Sequence, residues 1–217
     1  MPNRTIPFAP GEMYHLFTRG VEKRNVFLDN HDRERFISLL THCLSVEALP
    51  SFSFMQRLGR KSETPKEGRG LVDILCYCLM ENHFHLLLKE NIDGGISTYI
   101  HRLLTSYSRY FNVKYKRSGS LFVHPFKSVH IEDDNQLLHE SRYIHLNPYV
   151  ARMGKSISGY KWSSIDEYFS YRKSAICHTG LIKSMMTSGE YKNFVSDHAD
   201  FAREVAEEQG LFPEFDD

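Results

Sequence analysis

The sequence predicts an α+β fold with the element order βαββαβ, and three observations lead to it. Residues 72–80 and 84–88 are apolar and rich in strand-forming residues, and the short polar pair between them is typical of a β-hairpin turn. An amphipathic segment precedes this hairpin and a longer one follows it. Strand-like segments at 13–21 and 126–131 lie before the first helix and after the second. This order is that of a ferredoxin-like sheet, and we expect one additional helix after it.

Each helix before the last strand is indicated by its own pattern. The first is expected to begin at Asn30, and its apolar stripe consists of Phe36, Leu39, Leu40, Cys43 and Leu44. The second is expected from about Ile96 to Tyr115. Between the first helix and the hairpin, residues 50–70 have largely loop composition, with Gly, Pro, Lys and Glu dominating their second half. We therefore expect a loop insertion there.

Two histidines stand two residues apart on the second strand of the hairpin. Side chains at positions i and i+2 of a strand point to the same face. His83 and His85 therefore project together, while Phe84, Leu86 and Leu88 fill the other face. Two neighbouring imidazoles can bind one divalent metal ion. Two polar positions on a half-exposed strand would give the same pattern, so this motif alone does not decide between the two interpretations.

A helix that carries a tyrosine is predicted after the last strand. Asp133 and the polar residues after it are suitable N-caps. Pro148 disfavours helical geometry at Asn147, so we expect the helix to end there. His139, Tyr143 and Asn147 are spaced by four residues and are expected to stack along one helix face. The alternative is a tyrosine that packs its ring and leaves its hydroxyl at the surface.

Four motifs in order along the chain resemble those of the single-tyrosine HUH transposases, and most closely the branch associated with repetitive extragenic palindromes. They comprise a first strand, a metal-binding strand, a strand leading to the tyrosine helix and the tyrosine helix itself, at residues 14–20, 80–88, 126–129 and 142–148. The resemblance covers about residues 13–170 and includes the segment 162–164.

The resemblance implies a site and a substrate. His83 and His85 are expected to bind Mg²⁺ or Mn²⁺, with Asn147 as the third ligand and His139 as the alternative third ligand or base. Glutamine is typical of the Asn147 position in the insertion-sequence branch. Tyr143 is expected to attack a DNA phosphate and form a 5′-phosphotyrosine. The expected partner is single-stranded DNA with hairpin elements, and a monomer and a homodimer both remain open.

The distribution of charge agrees with a DNA partner, although the formal net charge is zero. Residues 94–131 contain no acidic residue. A basic stretch of this kind is typical of proteins that bind a phosphate backbone. A solvated helix face is the alternative interpretation. The candidate DNA-binding residues are Arg102, Arg109, Lys114, Lys116, Arg117 and Lys127.

Composition and organisation limit the class of protein. No run of about 18 apolar residues is present, so we expect no membrane span, and the first ten residues lack the apolar region of a signal peptide. We therefore expect a cytoplasmic protein whose four cysteines are reduced. Residues 1–150 are expected to form the catalytic domain, with the insertion at 50–70, and residues 151–217 a helical extension with an acidic tail.

Two other functions stay open at this point. One is a catalytically inactive or domesticated nucleic-acid-binding protein of the same fold. The other is a small metal-dependent phosphohydrolase. A histidine-triad enzyme requires a third histidine where this chain has Leu87, and a two-histidine phosphoesterase requires a second His-x-Thr/Ser motif that this chain lacks. The intact His83, His85 and Tyr143 argue against an inactive protein.

Overall fold

The computed structural model describes residues 7–47, 50–60, 62–154, 156–171 and 176–208. Within these residues the chain forms a four-stranded sheet with helices on both faces. The elements of the sheet and its helices are β1 (Met13–Arg19), α1 (Asn30–His42), α2 (Phe52–Arg57), β2 (Val72–Leu79), β3 (His83–Glu90), α3 (Gly95–Lys114), β4 (Lys127–Ile131) and α4 (Asp134–Val150). The later helices are α5 (Ile165–Tyr168), α6 (Gly180–Met185), α7 (Ser188–Ser196) and α8 (Ala199–Glu208).

The strands are ordered β2-β3-β1-β4, and all neighbours are antiparallel. This is the arrangement of a ferredoxin-like sheet, so the predicted fold class is confirmed. In the central strand β1, Leu16 lies opposite Leu86 of β3 and Ser128 of β4. None of the described helices is long and apolar enough to cross a membrane.

The sheet separates two apolar layers. The helices α1 and α3 cover one face, where the buried side chains include Phe36, Phe84, Leu86 and Tyr107. The helix α4 and the helices after it cover the other face, where the buried side chains include Leu87, Ile144, Tyr168 and Tyr191. The alternation predicted for the hairpin is therefore present, with the even-numbered apolar residues of β3 against α1 and α3. Burial of each large apolar side chain contributes roughly 1.5–3 kcal/mol to this arrangement.

The helix α4 starts as predicted but ends later. Asp133 is its N-cap, and the Asp133 side chain accepts a hydrogen bond of 2.7 Å from the amide of Gln136. The helix passes through Pro148 and continues to Val150, so the predicted end at Asn147 was wrong. Pro148 lies in the last turn, where its missing N–H removes one helical hydrogen bond. Both Pro148 and Val150 are buried, and their packing stabilises that turn.

The segment 50–70 is not a loop throughout, because it contains α2. Arg35 of α1 binds this helix: its guanidinium donates to Ser53 Oγ at 2.6 Å and to Gln56 Oε1 at 3.1 Å. The same guanidinium lies 4.3 Å from the centre of the Phe52 ring. The guanidinium of Arg35 and the ring of Phe52 therefore hold the insertion against α1.

The residues after 150 share a core with α4. Both Tyr191 and Val195 of α7 are buried in the same apolar cluster as Ile144. The boundary expected at residue 150 therefore does not separate two cores. Residues 209–217, which include the end of the acidic tail, lie outside the described residues.

A buried histidine links α4 to this helical region. The His145 ring lies 2.8 Å from the Tyr191 hydroxyl through Nδ1 and 2.8 Å from Ser164 Oγ through Nε2. Ser164 in turn donates its amide to the carbonyl of Tyr77 at 3.1 Å and so lies along the outer edge of β2. Burial lowers the pKa of His145 to about 3, so the ring is neutral in the folded protein.

We predict that protonation of the unfolded chain at His145 destabilises the fold in acid. The unfolded chain binds this proton near pH 6.5, whereas the folded protein does not bind it until the pH reaches about 3. The unfolded state therefore binds more protons between these values, and the free energy of unfolding rises with pH across that window. Urea unfolding at pH 5.5 and 4.5 measures the slope. As the pH falls, the free energy of unfolding of wild type should decrease by about 1.4 kcal/mol per pH unit more than that of His145→Gln. Equal decreases in the two proteins would contradict a neutral His145 in the folded state.

Candidate active site

The candidate site lies between the middle of the sheet and α4. His83 and His85 project from β3 toward α4, with ring centroids 5.0 Å apart. Tyr143 of α4 faces them, and its ring lies 5.7 Å from the His85 ring at an interplanar angle of 90°. The structure therefore brings together the two histidines and the tyrosine that the sequence motifs singled out.

The hairpin turn orients the first histidine. The Asn82 amide donates through Nδ2 to the carbonyl oxygen of Lys23 at 3.4 Å, which directs Asn82 Oδ1 toward His83. His83 Nδ1 lies 2.6 Å from that oxygen. Because an amide oxygen only accepts, His83 Nδ1 carries the hydrogen, and the lone pair of the neutral ring is on Nε2.

A third histidine contacts the second one, and sequence analysis assigned it no role. His15 of β1 lies with its Nε2 2.9 Å from His85 Nδ1. The opposite nitrogen of His15 lies 2.7 Å from Glu140 Oε1 of α4. Burial, together with the neighbouring His83 and His15 rings, holds the pKa of His85 well below its usual range. The His85 ring is therefore neutral and has a lone pair for a ligand.

Asn147 adds an oxygen donor on the helix that carries Tyr143. Its side chain is buried, and Nδ2 donates to the carbonyl oxygen of Tyr143 at 2.8 Å. In the described part of the chain, no donor reaches the buried Oδ1 of Asn147. Nor do the described residues contain a group of three histidine, cysteine or carboxylate side chains that could hold a metal. Two imidazoles and one amide oxygen are acceptable ligands for a divalent ion such as Mg²⁺ or Mn²⁺, so the chemistry of these residues fits such an ion.

Tyr143 is accessible, but its hydroxyl is a weak acid. The side chain is 45% exposed, so a macromolecular substrate can reach it. Burial of the hydroxyl end and the charge of Glu140 raise the Tyr143 pKa, whereas the Asn147 side chain lowers it by hydrogen bonding. The hydroxyl is protonated at neutral pH, and a reaction through it requires a base or a nearby cation.

His139 lies apart from this group. Its Nδ1 lies 2.7 Å from the Arg142 guanidinium, and its ring packs 5.6 Å from that of Phe194 on α7. The helix face that meets the histidines carries Glu140 and Tyr143 instead. We therefore discard His139 as the third ligand or base, because its ring is held on the α7 side of the helix.

Most of the basic residues predicted to contact DNA lie away from the tyrosine. Five of them are on α3 or just after it, across the sheet from α4, namely Arg102, Arg109, Lys114, Lys116 and Arg117. Three of these have structural partners, and one of them is Arg117, which donates to Asn112 Oδ1 at 3.0 Å. Lys114 Nζ lies 2.7 Å from both Asp29 and Asp32, and Arg102 donates to the carbonyl of Ser45 at 2.6 Å.

Lys127 is placed differently from the other basic residues. It lies opposite Phe17 of β1, and Phe17 lies opposite His85 on the other side of that strand. Residues directly opposite in a sheet share a face, so Lys127 is on the face of the histidines. Its side chain is exposed. Lys127 is therefore the predicted DNA contact that the fold places beside the candidate site.

Comparisons with known proteins agree with these motifs. Residues 65–147 match the family described as IS200-like transposases, and this range includes His83, His85, Tyr143 and Asn147. Among solved structures, the chain is similar to a REP-associated tyrosine transposase bound to a REP hairpin. The TM-score is 0.54 at 13% identity, covering 78% of this chain and 86% of that chain. At this identity the likeness concerns the fold. No curated protein matches the chain.

We predict that replacing both strand histidines, His83→Ala with His85→Ala, abolishes specific Mn²⁺ binding. The loss in affinity should exceed the roughly 10–100-fold cost typical of removing an outer-shell partner, because both imidazole ligands are gone. Titration followed by the electron paramagnetic resonance of free Mn²⁺ measures the affinity. His101→Ala removes an exposed histidine of α3 and serves as the control. Unchanged binding in the double variant, with an intact fold by circular dichroism, would remove the metal assignment.

Proposed function

Because residues 65–147 match the family described as IS200-like transposases, we propose that the protein is an endonuclease and strand transferase for single-stranded DNA. It cleaves next to DNA hairpins and holds one DNA end as a 5′-phosphotyrosine at Tyr143. The observation that carries this proposal is that an accessible tyrosine lies against His85, the partner of His83 on β3, and contacts Asn147 on its own helix. The hairpin bound by the REP-associated transposase of similar fold supports hairpin DNA as the partner.

His83, His85 and Asn147 would hold Mg²⁺ or Mn²⁺ as the cofactor of this reaction. When bound, the ion would polarise the scissile phosphate and stabilise its developing negative charge. The three residues come from β3 and α4, so the correct packing of α4 on the sheet is a condition for binding. Asn147 also acts on the nucleophile, since its hydrogen bonds reach both the backbone and the hydroxyl of Tyr143.

The phenolic oxygen of Tyr143 forms the new bond to phosphorus. The bond between phosphorus and the 3′ oxygen of the preceding nucleotide breaks, which leaves a free 3′-hydroxyl and a 5′-phosphotyrosine. One phosphodiester bond replaces another, so a 3′-hydroxyl can attack the phosphotyrosine and rejoin DNA without ATP. The raised pKa of Tyr143 means that loss of its proton must accompany the attack.

The DNA strand approaches over the edge of the sheet at β4 and the adjacent strand β1. Lys127 and Val129 of β4 are exposed there, and Phe17 and Arg19 of β1 are half-buried on the same face. This surface offers cations for phosphates and an aromatic ring for an unpaired base. It is continuous with His85, because Phe17 lies opposite His85 in the sheet.

The remaining alternatives explain less of the site. A phosphohydrolase activates water and requires no tyrosine beside its ligands. An inactive or domesticated DNA-binding protein requires neither a buried amide oxygen that no donor reaches within the described residues nor an accessible tyrosine. The proposed enzyme acts in the cytoplasm, as a monomer or as a homodimer.

We predict that Tyr143→Phe binds hairpin DNA and Mn²⁺ but forms no covalent adduct with DNA. Only the hydroxyl is removed, so ring packing survives, and stability should change by less than about 1 kcal/mol. Denaturing gels with end-labelled DNA and Mn²⁺ detect the adduct. Tyr149→Phe is the matched control, because Tyr149 lies on the same helix but its hydroxyl donates to Asp200 at 2.9 Å. An adduct that persists in Tyr143→Phe would refute the nucleophile.

We predict that Lys127→Glu weakens DNA binding more than charge reversal on the far face. If Lys127 contacts a phosphate, its loss should lower the slope of log affinity against log salt by roughly 0.7. The comparison variant reverses Lys116 and Arg117, which follow α3 on the opposite face. Fluorescence anisotropy with a hairpin-bearing oligonucleotide at several salt concentrations gives both slopes. An equal or greater effect of the comparison variant would place the DNA on the α3 side.

A further inference from the structure

We propose that His15 and Glu140 are positioning residues, which hold His85 in the ring orientation and the tautomer that present its Nε2 lone pair to a divalent cation. This inference deepens the proposed function and rests on it for the identity of the ligand. It adds two residues, on β1 and α4, that contact neither the metal nor the DNA in our account.

The contacts among Glu140, His15 and His85 form one continuous series across three elements. Glu140 of α4 reaches His15 of β1 at 2.7 Å, and His15 reaches His85 of β3 at 2.9 Å. The rings of His15 and His85 are stacked, with centroids 5.1 Å apart and an interplanar angle of 22°. Relative exposure is 3% for His15 and 0% for His85. Two short contacts at this depth fix both rings against rotation.

The chemistry of the donors determines where the hydrogens lie. An ionised carboxylate only accepts, so the Nδ1 of His15 donates to Glu140. In a neutral His15 ring the opposite nitrogen then holds a lone pair and accepts. In that arrangement His85 donates from Nδ1, which leaves its lone pair on Nε2. The Glu140 carboxylate at one end of this series of hydrogen bonds thus sets the tautomer of His85 at the other end.

His85 meets its acceptor on a neighbouring strand. His83 uses the neighbouring Asn82 oxygen at the turn, whereas Phe84 and Leu86 flank His85 and point to the other face of the sheet. His15 of β1 supplies the nitrogen that lies 2.9 Å from His85 Nδ1. The two ligand histidines therefore reach the same tautomer by different routes.

Glu140 is otherwise unfavourable at its position. Its negative charge lies one helical turn before Tyr143, where it raises the tyrosine pKa and repels a phosphate. An acidic residue at that point of a phosphate-binding site requires a compensating role. Its contact with His15 provides that role, because outer-shell carboxylates commonly orient metal-binding histidines.

The test uses variants that remove each acceptor. His15→Phe and Glu140→Leu should each lower Mn²⁺ affinity roughly 10–100-fold, and Glu140→Gln should remain near wild type because its amide oxygen still accepts. Glu140 is 21% exposed, so Glu140→Leu remains interpretable if His15→Phe does not fold. The matched control is His130→Phe, since His130 pairs with Glu12 at 2.7 Å on the other face of β4.

A second measurement reports the tautomer without metal. Long-range ¹H–¹⁵N correlation spectra of the metal-free protein should show His85 protonated on Nδ1 in wild type and in His130→Phe, and a changed tautomer in Glu140→Leu. Wild-type affinity together with the wild-type tautomer in His15→Phe and Glu140→Leu would overturn the positioning role. If the wild-type protein itself bound no Mn²⁺, the proposed function would fail instead, so the two failures are distinguishable.

Discussion

The alternation of side chains along β3 is the constraint on which the rest of the structure depends. Phe84, Leu86 and Leu88 are buried against α1 and α3, and the strand period of two then directs His83 and His85 toward α4. A shift of one residue in register would exchange the two faces. It would place both histidines in the apolar layer and leave no site. The free energy of the apolar core therefore also maintains the orientation of the two imidazoles.

Local sequence patterns were sufficient to predict the helices and strands and part of the candidate site. The apolar alternation of the hairpin, the N-cap Asp133 and the i, i+2 histidines are all short-range signals, and the structure contains each of them. The continuation of α4 through Pro148 was not predictable in this way, because it depends on burial of the last turn. The rotation of α4 is also a packing property, and it places Glu140 rather than His139 against the sheet.

The contact between His15 and Glu140 illustrates what a sequence pattern leaves undetermined. The two residues are far apart along the chain, and their contact requires both the register of β1 and the rotation of α4. The basic stretch 94–131 illustrates the same limit for charge, because the sheet divides it between two faces. Lys127 lies on the side of the tyrosine, and the cations of α3 lie on the other side.

We propose above all that Tyr143 forms the covalent bond to DNA, because the fold holds it beside His85 and in contact with Asn147. The most direct measurement is peptide mapping by mass spectrometry of the covalent product formed with hairpin DNA and Mn²⁺. We predict that this product yields a single phosphotyrosyl peptide, which contains Tyr143. A link at Tyr149, Tyr14 or any other residue would contradict it.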